Sequence, residues 1–250
     1  MALRVGTSGW QYRDWRGVLY PEGVPQRAWL QHYAGEFTTV EVNNAFYRLP
    51  ERSVFERWRE QTPPGVTVAV KVSRYLTHVR RLREPAEPVA RLLERAAGLG
   101  GALGPYLLQL PPTLQADPAR LDACLATFPA AARVAVEPRH ESWWVDEVRD
   151  VLERRGAALC WADRGGRPVT PLWRTAGWGY VRLHAGTASP RPAYGRAALG
   201  SWLDRIDRAW PGARADDVFL YFNNDPGGAA VRNARTAIRM ARRRPFALPD

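Results

Sequence analysis

The chain has 250 residues, 46% of them hydrophobic, and a formal net charge of +11. This length suits one α/β barrel or two small domains, and the apolar fraction supports a sizeable core, which excludes a disordered chain. No apolar stretch approaches about 18 residues and no signal-like start is present, so we expect no membrane segment. Two distant cysteines, Cys124 and Cys160, are typical of a reduced cytoplasmic protein.

The positive charge alone is weak support for a nucleic-acid partner, although a basic balance can mark one. Arginines are interspersed with carboxylates in helix-like segments, for example Glu56-Arg57 and Arg59-Glu60, as on a solvated helix face. The densest run, Arg239 to Arg244, ends the last predicted helix, where cations complement the helix dipole.

Eight strand-like runs alternate with helix-like segments along the chain. The predicted strands are Leu3–Ser8, Thr38–Asn43, Val66–Ser73, Pro105–Leu110, Arg133–Glu137, Ala157–Asp163, Gly179–His184 and Asp217–Asn223. The predicted helices are Gln26–Gly35, Ser53–Gln61, Pro88–Leu99, Pro118–Phe128, Asp146–Arg155, Ala197–Trp210 and Gly228–Arg243. Such alternation predicts a closed (β/α)8 TIM-type barrel with parallel strands, as a single domain over residues 1–250. An open doubly wound sheet is less favoured because no GxGxxG follows the first strand.

Polar residues stand at the carboxyl end of every predicted strand, where a barrel builds its site. Within these strands apolar residues alternate with polar ones, as Val40 and Val42 flank Glu41. If the apolar set faces the helices, the polar set points into the barrel mouth. These inward candidates are Glu41, Lys71, Glu137, Arg182 and His184.

Lys71 is the one lysine in a chain with 35 arginines. An ammonium shifts its pKa readily when desolvated, whereas a guanidinium stays charged. The choice of lysine at this position therefore indicates a functional group, against the alternative of a buried lysine paired with a carboxylate for structure.

The same residues resemble a known family, the YecE-like proteins, also called domain of unknown function 72. The motifs that carry the resemblance span nearly the whole chain: Gly6-Thr7-Ser8-Gly9-Trp10, Glu41-Val42-Asn43-Asn44 with Phe46-Tyr47-Arg48, Lys71 with Thr77-His78, Gln109-Leu110-Pro111-Pro112, Glu137-Pro138-Arg139-His140, Tyr180-Val181-Arg182-Leu183-His184 and Tyr221-Phe222-Asn223-Asn224-Asp225. Two positions depart from the family pattern, Pro138 and Ala185. The resemblance implies a TIM barrel and supplies no activity.

Glu41 and Glu137 are the predicted acid and base, with Lys71 and Arg182 stabilising negative charge and His184 orienting the substrate. The alternative is a buried ion network that serves stability. A Schiff base at Lys71 is a weaker hypothesis, because adjacent carboxylates are expected to raise its pKa.

An anion site is predicted at the loops after the last two strands, where the backbone at Gly227-Gly228 leads into the final helix. The alternative there is a plain tight turn. A metal site is not favoured, since no HxH or HExxH spacing is present and a central lysine and arginine repel cations. The aromatic loop with Trp10, Tyr12, Trp15 and Tyr20 is interpreted mainly as packing. Trp10 and Tyr47, next to the polar strand ends, are instead interpreted as stacking surfaces for a base or a sugar.

The sequence thus predicts an enzyme that performs acid–base chemistry on a small anionic or polyhydroxylated substrate, needing no cofactor, with hydrolase, lyase and isomerase left open. The predicted substrate-binding residues are Trp10, Asn43, Asn44, Tyr47, Ser73, Gln109, Arg139, His140, Asn223, Asn224, Gly227 and Gly228. The alternatives are a nucleic-acid-binding or processing protein that uses the basic, aromatic-rich surface, and a small-molecule sensor without turnover.

Overall fold

Strands and helices alternate along most of the chain, as the sequence predicts. The computed structural model describes residues 2–211 and 217–249. The strands are β1 Leu3–Ser8, β2 Thr39–Val42, β3 Thr67–Lys71, β4 Leu103–Gln109, β5 Val134–Glu137, β6 Ala158–Leu159, β7 Trp161–Arg164, β8 Arg167–Pro168, β9 Gly179–Leu183 and β10 Val218–Phe222. The α-helices are α1 Trp29–Ala34, α2 Asn44–Tyr47, α3 Arg52–Glu60, α4 Ala86–Ala96, α5 Pro118–Leu125, α6 Asp146–Arg154, α7 Arg196–Ala209 and α8 Ala229–Ala241.

The ten strands form one curled sheet in the order β6-β5-β4-β3-β2-β1-β10-β9-β7-β8. All neighbours are parallel except β7 and β8, which pair in antiparallel fashion. The prediction of a closed eight-stranded barrel with only parallel strands is therefore wrong. The fold is a mixed, mostly parallel half-barrel.

The error arises at Cys160, which interrupts a segment predicted as one strand. Before this residue, β6 pairs with β5, and after it, β7 pairs with β9. The chain then turns through Gly165 and Gly166, both at positive φ, into β8. Each half of the interrupted segment thus has its own neighbour, and the antiparallel pair adds a strand that the sequence did not predict.

Side-chain alternation divides the core into two layers. Val40 and Val42 of β2 pack into the larger layer between the sheet and the helices. The smaller layer lies on the other face of the strands and contains, among others, Ala69, Tyr180 and Tyr221. Burial of both faces explains why a strand such as β10, Val218–Phe222, is apolar throughout.

Helix starts follow local signals in the sequence. Asp117 accepts a hydrogen bond from the Arg120 backbone N–H at 2.9 Å, and Pro118 occupies the first turn of α5. In α6 the first turn carries Asp146 and Glu147, which complement the helix dipole.

Within residues 2–211 and 217–249, no helix is both long and apolar enough to cross a membrane.

Candidate active site

Arg182 of β9 is the centre of a buried ion network. Its Nη1 donates to Glu137 Oε2 at 2.6 Å, and its Nη2 donates to Glu41 Oε1 at 2.8 Å. Nη2 also lies 3.0 Å from the Ser8 hydroxyl oxygen. All three charged side chains are at most 1% exposed. The guanidinium therefore offsets two carboxylates in a region that water does not reach.

Glu41 has partners on both of its carboxylate oxygens. Ser8 Oγ donates to Oε1, which Arg182 also contacts, and Tyr180 Oη donates to Oε2 at 2.6 Å. Four elements, β1, β2, β5 and β9, thus contribute to one hydrogen-bonded cluster beneath the mouth of the half-barrel.

Glu137 is held ionised by the cations around it. Burial alone would raise its pKa, but the Arg182 guanidinium holds the pKa of Glu137 well below its usual range. Arg139 Nη2 approaches Oε1 at 3.2 Å, and His184 Nε2 lies 2.8 Å from the same oxygen.

His184 is held as a neutral ring between two polar neighbours. Burial lowers its pKa, even though Glu137 acts in the opposite direction. Its Nδ1 lies 2.9 Å from the Asn223 amide nitrogen, an N–H donor. The neutral tautomer with the proton on Nε2 satisfies both contacts, donating to Glu137 and accepting from Asn223.

A cavity of about 360 Å³ opens at the carboxyl ends of the strands. It is lined by Gly9, Trp10, Gln11, Tyr12, Asn43, Asn44, Phe46, Tyr47, Lys71, Arg182, Asn223 and Asp225. Of the predicted site residues, seven line it: Trp10, Asn43, Asn44, Tyr47, Lys71, Arg182 and Asn223. Glu41 and Glu137 do not, since their carboxylates lie among the partners of Arg182. Their assignment as acid and base stays a prediction, and the geometry fits the ion-network alternative better.

Lys71 lies apart from that network. Its Nζ is 4.0 Å from the centre of the Phe46 ring and makes no hydrogen bond or ion pair with any residue the structure describes. Burial, aided by the Arg182 charge, lowers the pKa of Lys71 to about 8. Glu41 and Glu137 do act to raise this pKa, as the sequence suggests, but burial and the Arg182 charge outweigh them.

Asp225 is the cavity residue whose role sequence reasoning missed. It follows Asn223-Asn224 directly after β10, and in the sequence it stands out only as the last residue of the Tyr221–Asp225 motif. Its Oδ1 is buried and has no hydrogen-bond partner among residues 2–211 and 217–249. Burial raises the pKa of Asp225 to about 7, although a hydrogen bond with Tyr12 and the Arg182 charge act against this shift. The available signal was its position, at the end of a strand beside two asparagines.

Two further polar atoms at the cavity are buried without a partner in the described chain. They are Asn43 Oδ1 and Arg182 Nε. The other end of the Asn43 amide is fixed, because its Nδ2 donates to Ser8 Oγ at 2.9 Å. With Asp225 Oδ1, three residues that line the cavity thus carry one buried N–H donor and two buried oxygens without a hydrogen-bond partner in the described protein.

Several predicted substrate-binding residues have protein partners outside the cavity. Gln109 Nε2 donates to the Leu110 carbonyl at 3.0 Å, and the Ser73 carbonyl accepts from Thr77. His140 Nδ1 accepts the Ser142 backbone N–H at 3.1 Å and so caps a short 3-10 helix. Arg139 contacts Glu137 instead of the cavity.

The predicted anion site before α8 is filled by the protein itself. The Gly227 backbone N–H donates to Asp14 Oδ2 at 2.6 Å. A side chain added at Gly228 would meet Val18. Asn224 is also committed, since its Nδ2 donates to Pro192 O and Asn233 Oδ1, both at 2.9 Å. An anion would have to displace Asp14 to reach this turn.

The aromatic loop mainly provides packing, as the sequence indicated. Trp15 and Tyr20 are buried, and Tyr20 stacks on Trp29 with ring centres 4.6 Å apart. Trp10 packs edge-on against Trp58 at 5.3 Å. Tyr47, by contrast, is 80% exposed at the cavity rim.

In the part of the chain that the structure describes, no three His, Cys, Asp or Glu side chains cluster to hold a metal ion.

Asp163, another predicted strand-end residue, points away from the cavity. Its Oδ1 accepts from Tyr194 Oη at 2.6 Å and from the Gly166 N–H at 3.1 Å, and its Oδ2 accepts from Trp202 Nε1 at 2.8 Å. It therefore ties the β7–β8 turn to α7 and to the segment before it.

Asp163→Asn is expected to destabilise the fold by about 2 kcal/mol, because an amide nitrogen must face one of these buried donors. Urea unfolding at pH 7 measures the loss. Asp204→Asn is the matched control on α7, where the side chain is 55% exposed and pairs with Arg244, so a loss below about 1 kcal/mol is expected. Equal losses in the two variants would contradict the assignment of Asp163.

These features define the class: a half-barrel α/β protein with a small polar cavity above a buried ion network. A family model described as "Protein of unknown function DUF72" matches residues 4–249. The chain therefore belongs to the DUF72 family, which confirms the resemblance found in the sequence.

Relatives and solved structures agree with this membership. The chain is similar to the UPF0759 protein YecE of Escherichia coli K12, at 30% identity over 62% of this chain and 54% of that protein, so the match spans about half of that relative. It is 22% identical to the UPF0759 protein YunF of Bacillus subtilis, over 95% of this chain and 94% of that one.

The fold is shared with crystal structures of DUF72 family proteins. The protein from Thermotoga maritima has a TM-score of 0.82 at 24% identity, covering 97% of this chain and 100% of that one. The protein from Enterococcus faecalis also has a TM-score of 0.82, at 19% identity over 96% and 95%.

Proposed function

We propose that the protein is an enzyme that binds a small hydroxylated ligand with one anionic group and moves a proton between that ligand and Asp225 or Lys71. The observation that carries this proposal is the set of three buried, unpaired polar atoms at one cavity: Asn43 Oδ1, Arg182 Nε and Asp225 Oδ1. Buried polar atoms are normally paired, and each unpaired one costs about 1–3 kcal/mol. A ligand that pairs all three removes this cost.

The character of these atoms supports a hydroxylated ligand. Arg182 Nε and Lys71 Nζ donate, so they require oxygen acceptors. Asn43 Oδ1 and ionised Asp225 accept, so they require hydroxyl or amine donors. A hydroxyl group can serve either role, so a ligand with several hydroxyls suits a cavity whose lining residues carry both donors and acceptors.

The charge balance supports one anionic group. Glu41 and Glu137 already offset Arg182, which leaves Lys71 as the cavity-lining cation without a carboxylate partner among the described residues. Arg74 and Arg139 add positive charge nearby, since burial and, to a smaller extent, the charges of Lys71, Arg74 and Arg139 lower the pKa of His78 to about 4. His78 packs edge-on against Phe46 of the cavity wall at 5.0 Å.

Acid–base chemistry is supported by the two titrating groups in the cavity. Groups whose pKa lies near the working pH exchange protons most effectively. Asp225, with a pKa of about 7, and Lys71, with a pKa of about 8, both populate two protonation states near neutral pH. In this proposal Asp225 is the base that accepts a substrate proton, and Lys71 stabilises the oxyanion that results.

Cavity size supports a ligand no larger than a monosaccharide. Pockets for drug-sized molecules have about 300–1,000 Å³, and this cavity, at about 360 Å³, is near the lower limit. Nucleic-acid binding has less support, because stacking platforms need exposed rings and most of the aromatic loop is buried.

A thermal-shift screen tests the proposal. The panel contains sugar acids, neutral sugars, sugar phosphates, nucleotides and a short oligonucleotide. A hydroxylated monoanion at about 100 times its dissociation constant is expected to stabilise the protein by roughly 2.7 kcal/mol. Lys71→Met is expected to abolish this shift, whereas Arg57→Met, which removes one exposed positive charge on α3, is expected to retain it.

Two outcomes count against the proposal. If the oligonucleotide alone shifts the midpoint, the site is not a small-molecule pocket. If a sugar acid shifts wild type and Lys71→Met equally, its anionic group does not bind in this cavity.

A further inference from the structure

Lys71 is the only side-chain amine in a chain with 35 arginines. It ends β3, lines the cavity and is free of ion pairs with the residues described. Its Nζ lies 4.0 Å from the Phe46 ring centre, and a ring face attracts the ammonium form more weakly than a paired carboxylate would. A guanidinium at this position could not act as a nucleophile, whereas an amine can.

We propose that Lys71 forms an imine with the carbonyl carbon of a small hydroxylated aldehyde or ketone. This inference rests on the proposed function, since it assigns covalent chemistry and a substrate class to the same cavity. The substrate would be a hydroxylated aldehyde, ketone or oxo acid, and not a glycoside or an ester.

The protonation state of Lys71 supports this role. With a pKa of about 8, Lys71 is a free amine in roughly a tenth of the protein molecules at pH 7. An ordinary lysine is a free amine in fewer than about 0.1% of them. Burial and the Arg182 charge cause this shift, so the same surroundings that form the cavity also activate the amine.

The cavity supplies the remaining groups for the reaction. The Nζ lone pair attacks the carbonyl carbon, a C–N bond forms, and the C=O π pair moves to oxygen. Arg182 Nε–H is available to hold that oxygen, which takes a proton from the protonated Asp225 carboxyl. Nζ then gives a proton to the Asp225 carboxylate just formed, and the neutral carbinolamine results.

In the second step the hydroxyl takes that proton back from Asp225 and leaves as water while the nitrogen lone pair forms the C=N bond, which gives the protonated imine and the Asp225 carboxylate. The net change is amine plus carbonyl to imine plus water, with no oxidant or reductant. The protonated imine withdraws electrons from the neighbouring carbon, so Asp225 as base can remove a proton there. Asn43 Oδ1 is available to accept from a substrate hydroxyl. The reaction class is therefore an isomerisation or a carbon–carbon cleavage next to the carbonyl.

Reductive trapping tests the inference. The protein is incubated at pH 7 with sodium cyanoborohydride and glycolaldehyde, glyceraldehyde, dihydroxyacetone or pyruvate as probes. Intact-mass measurement detects a gain equal to the probe mass less one oxygen atom, and peptide mapping separates Lys71 from the α-amine of Met1. We expect an adduct at Lys71 that is absent in Lys71→Arg and Lys71→Met, and slower formation in Asp225→Asn.

The matched control is the double variant Lys71→Met with Arg57→Lys, which moves the single lysine to the exposed surface of α3. Adduct formation at Lys71 is expected to be at least about tenfold faster than at position 57. Equal rates overturn the inference. Probes that shift the thermal midpoint but give no adduct overturn the imine while the proposed function stands, and a panel with neither effect overturns both.

Discussion

Replacing Arg182 with methionine is expected to destabilise the fold by about 4 kcal/mol. The change leaves Glu41 and Glu137 buried without the guanidinium that both of them contact. Only the uncharged Tyr180 and Ser8 remain beside Glu41. Glu137 keeps His184 and the partly exposed Arg139, whose longer contact of 3.2 Å replaces little of the buried guanidinium. Removal of one member of a buried ion network is costly because it strands the opposite charge.

Urea unfolding at pH 7 and pH 5 measures this effect. The stranded carboxylates of the variant are expected to bind protons more tightly when folded than when unfolded, so its deficit should be smaller at pH 5. Arg139→Met is the matched control, since Arg139 contacts the same Glu137 but is 32% exposed, and we expect a loss below about 1 kcal/mol. A similar loss of unfolding free energy in both variants would mean that burial does not determine how much the ion network contributes to stability.

The second large effect is a gain of stability. Asp225→Asn is expected to stabilise the fold by about 3 kcal/mol at pH 8 and by little at pH 4. The pKa of Asp225 rises from 3.8 in the unfolded chain to about 7 in the folded one. Between these values the folded state retains a proton that the unfolded state has lost, so wild-type stability falls as pH rises through this window. Asparagine does not ionise and escapes this cost.

The measurement is the difference in unfolding free energy between variant and wild type at pH 4, 6 and 8. Asp204→Asn, on the exposed face of α7, serves as the control and should show a small difference at every pH. A difference for Asp225→Asn that does not grow with pH would contradict the raised pKa. The expected growth would also show that this carboxyl is kept at a cost to stability, as is common for functional groups.

Much of the local structure could be predicted because strand and helix periodicities depend on neighbouring residues. The alternation around Glu41 and Arg182 predicted correctly that both side chains lie on the face opposite the helices. The interruption at Cys160 could not be predicted, since the whole segment is apolar and each half is stabilised by a different distant strand. The β7–β8 turn did have a signal, because Gly165-Gly166 is typical of a two-residue hairpin with positive φ.

The candidate site was predicted less completely because pairing among its residues depends on tertiary distances. Sequence position brought Glu41 and Glu137 to the strand ends but did not reveal that Arg182 binds both. Gly227 has the features of an anion-binding turn, yet Asp14, distant in the sequence, already accepts its N–H. Asp225 became a candidate only when its unpaired oxygen was seen in the cavity.

The short strands at the two ends of the sheet have a consequence for self-association. A long exposed edge offers unpaired N–H and C=O groups that recruit strands from other molecules and promote aggregation. Here β6 has two residues, both buried, and β8 has only Arg167 and Pro168. Proline lacks an N–H and arginine carries a charge, two features that block edge-to-edge pairing. These sheet ends therefore offer almost no unpaired backbone to which a strand from another copy of the chain could bind. This protects the protein from aggregation through β-strand pairing at high concentration.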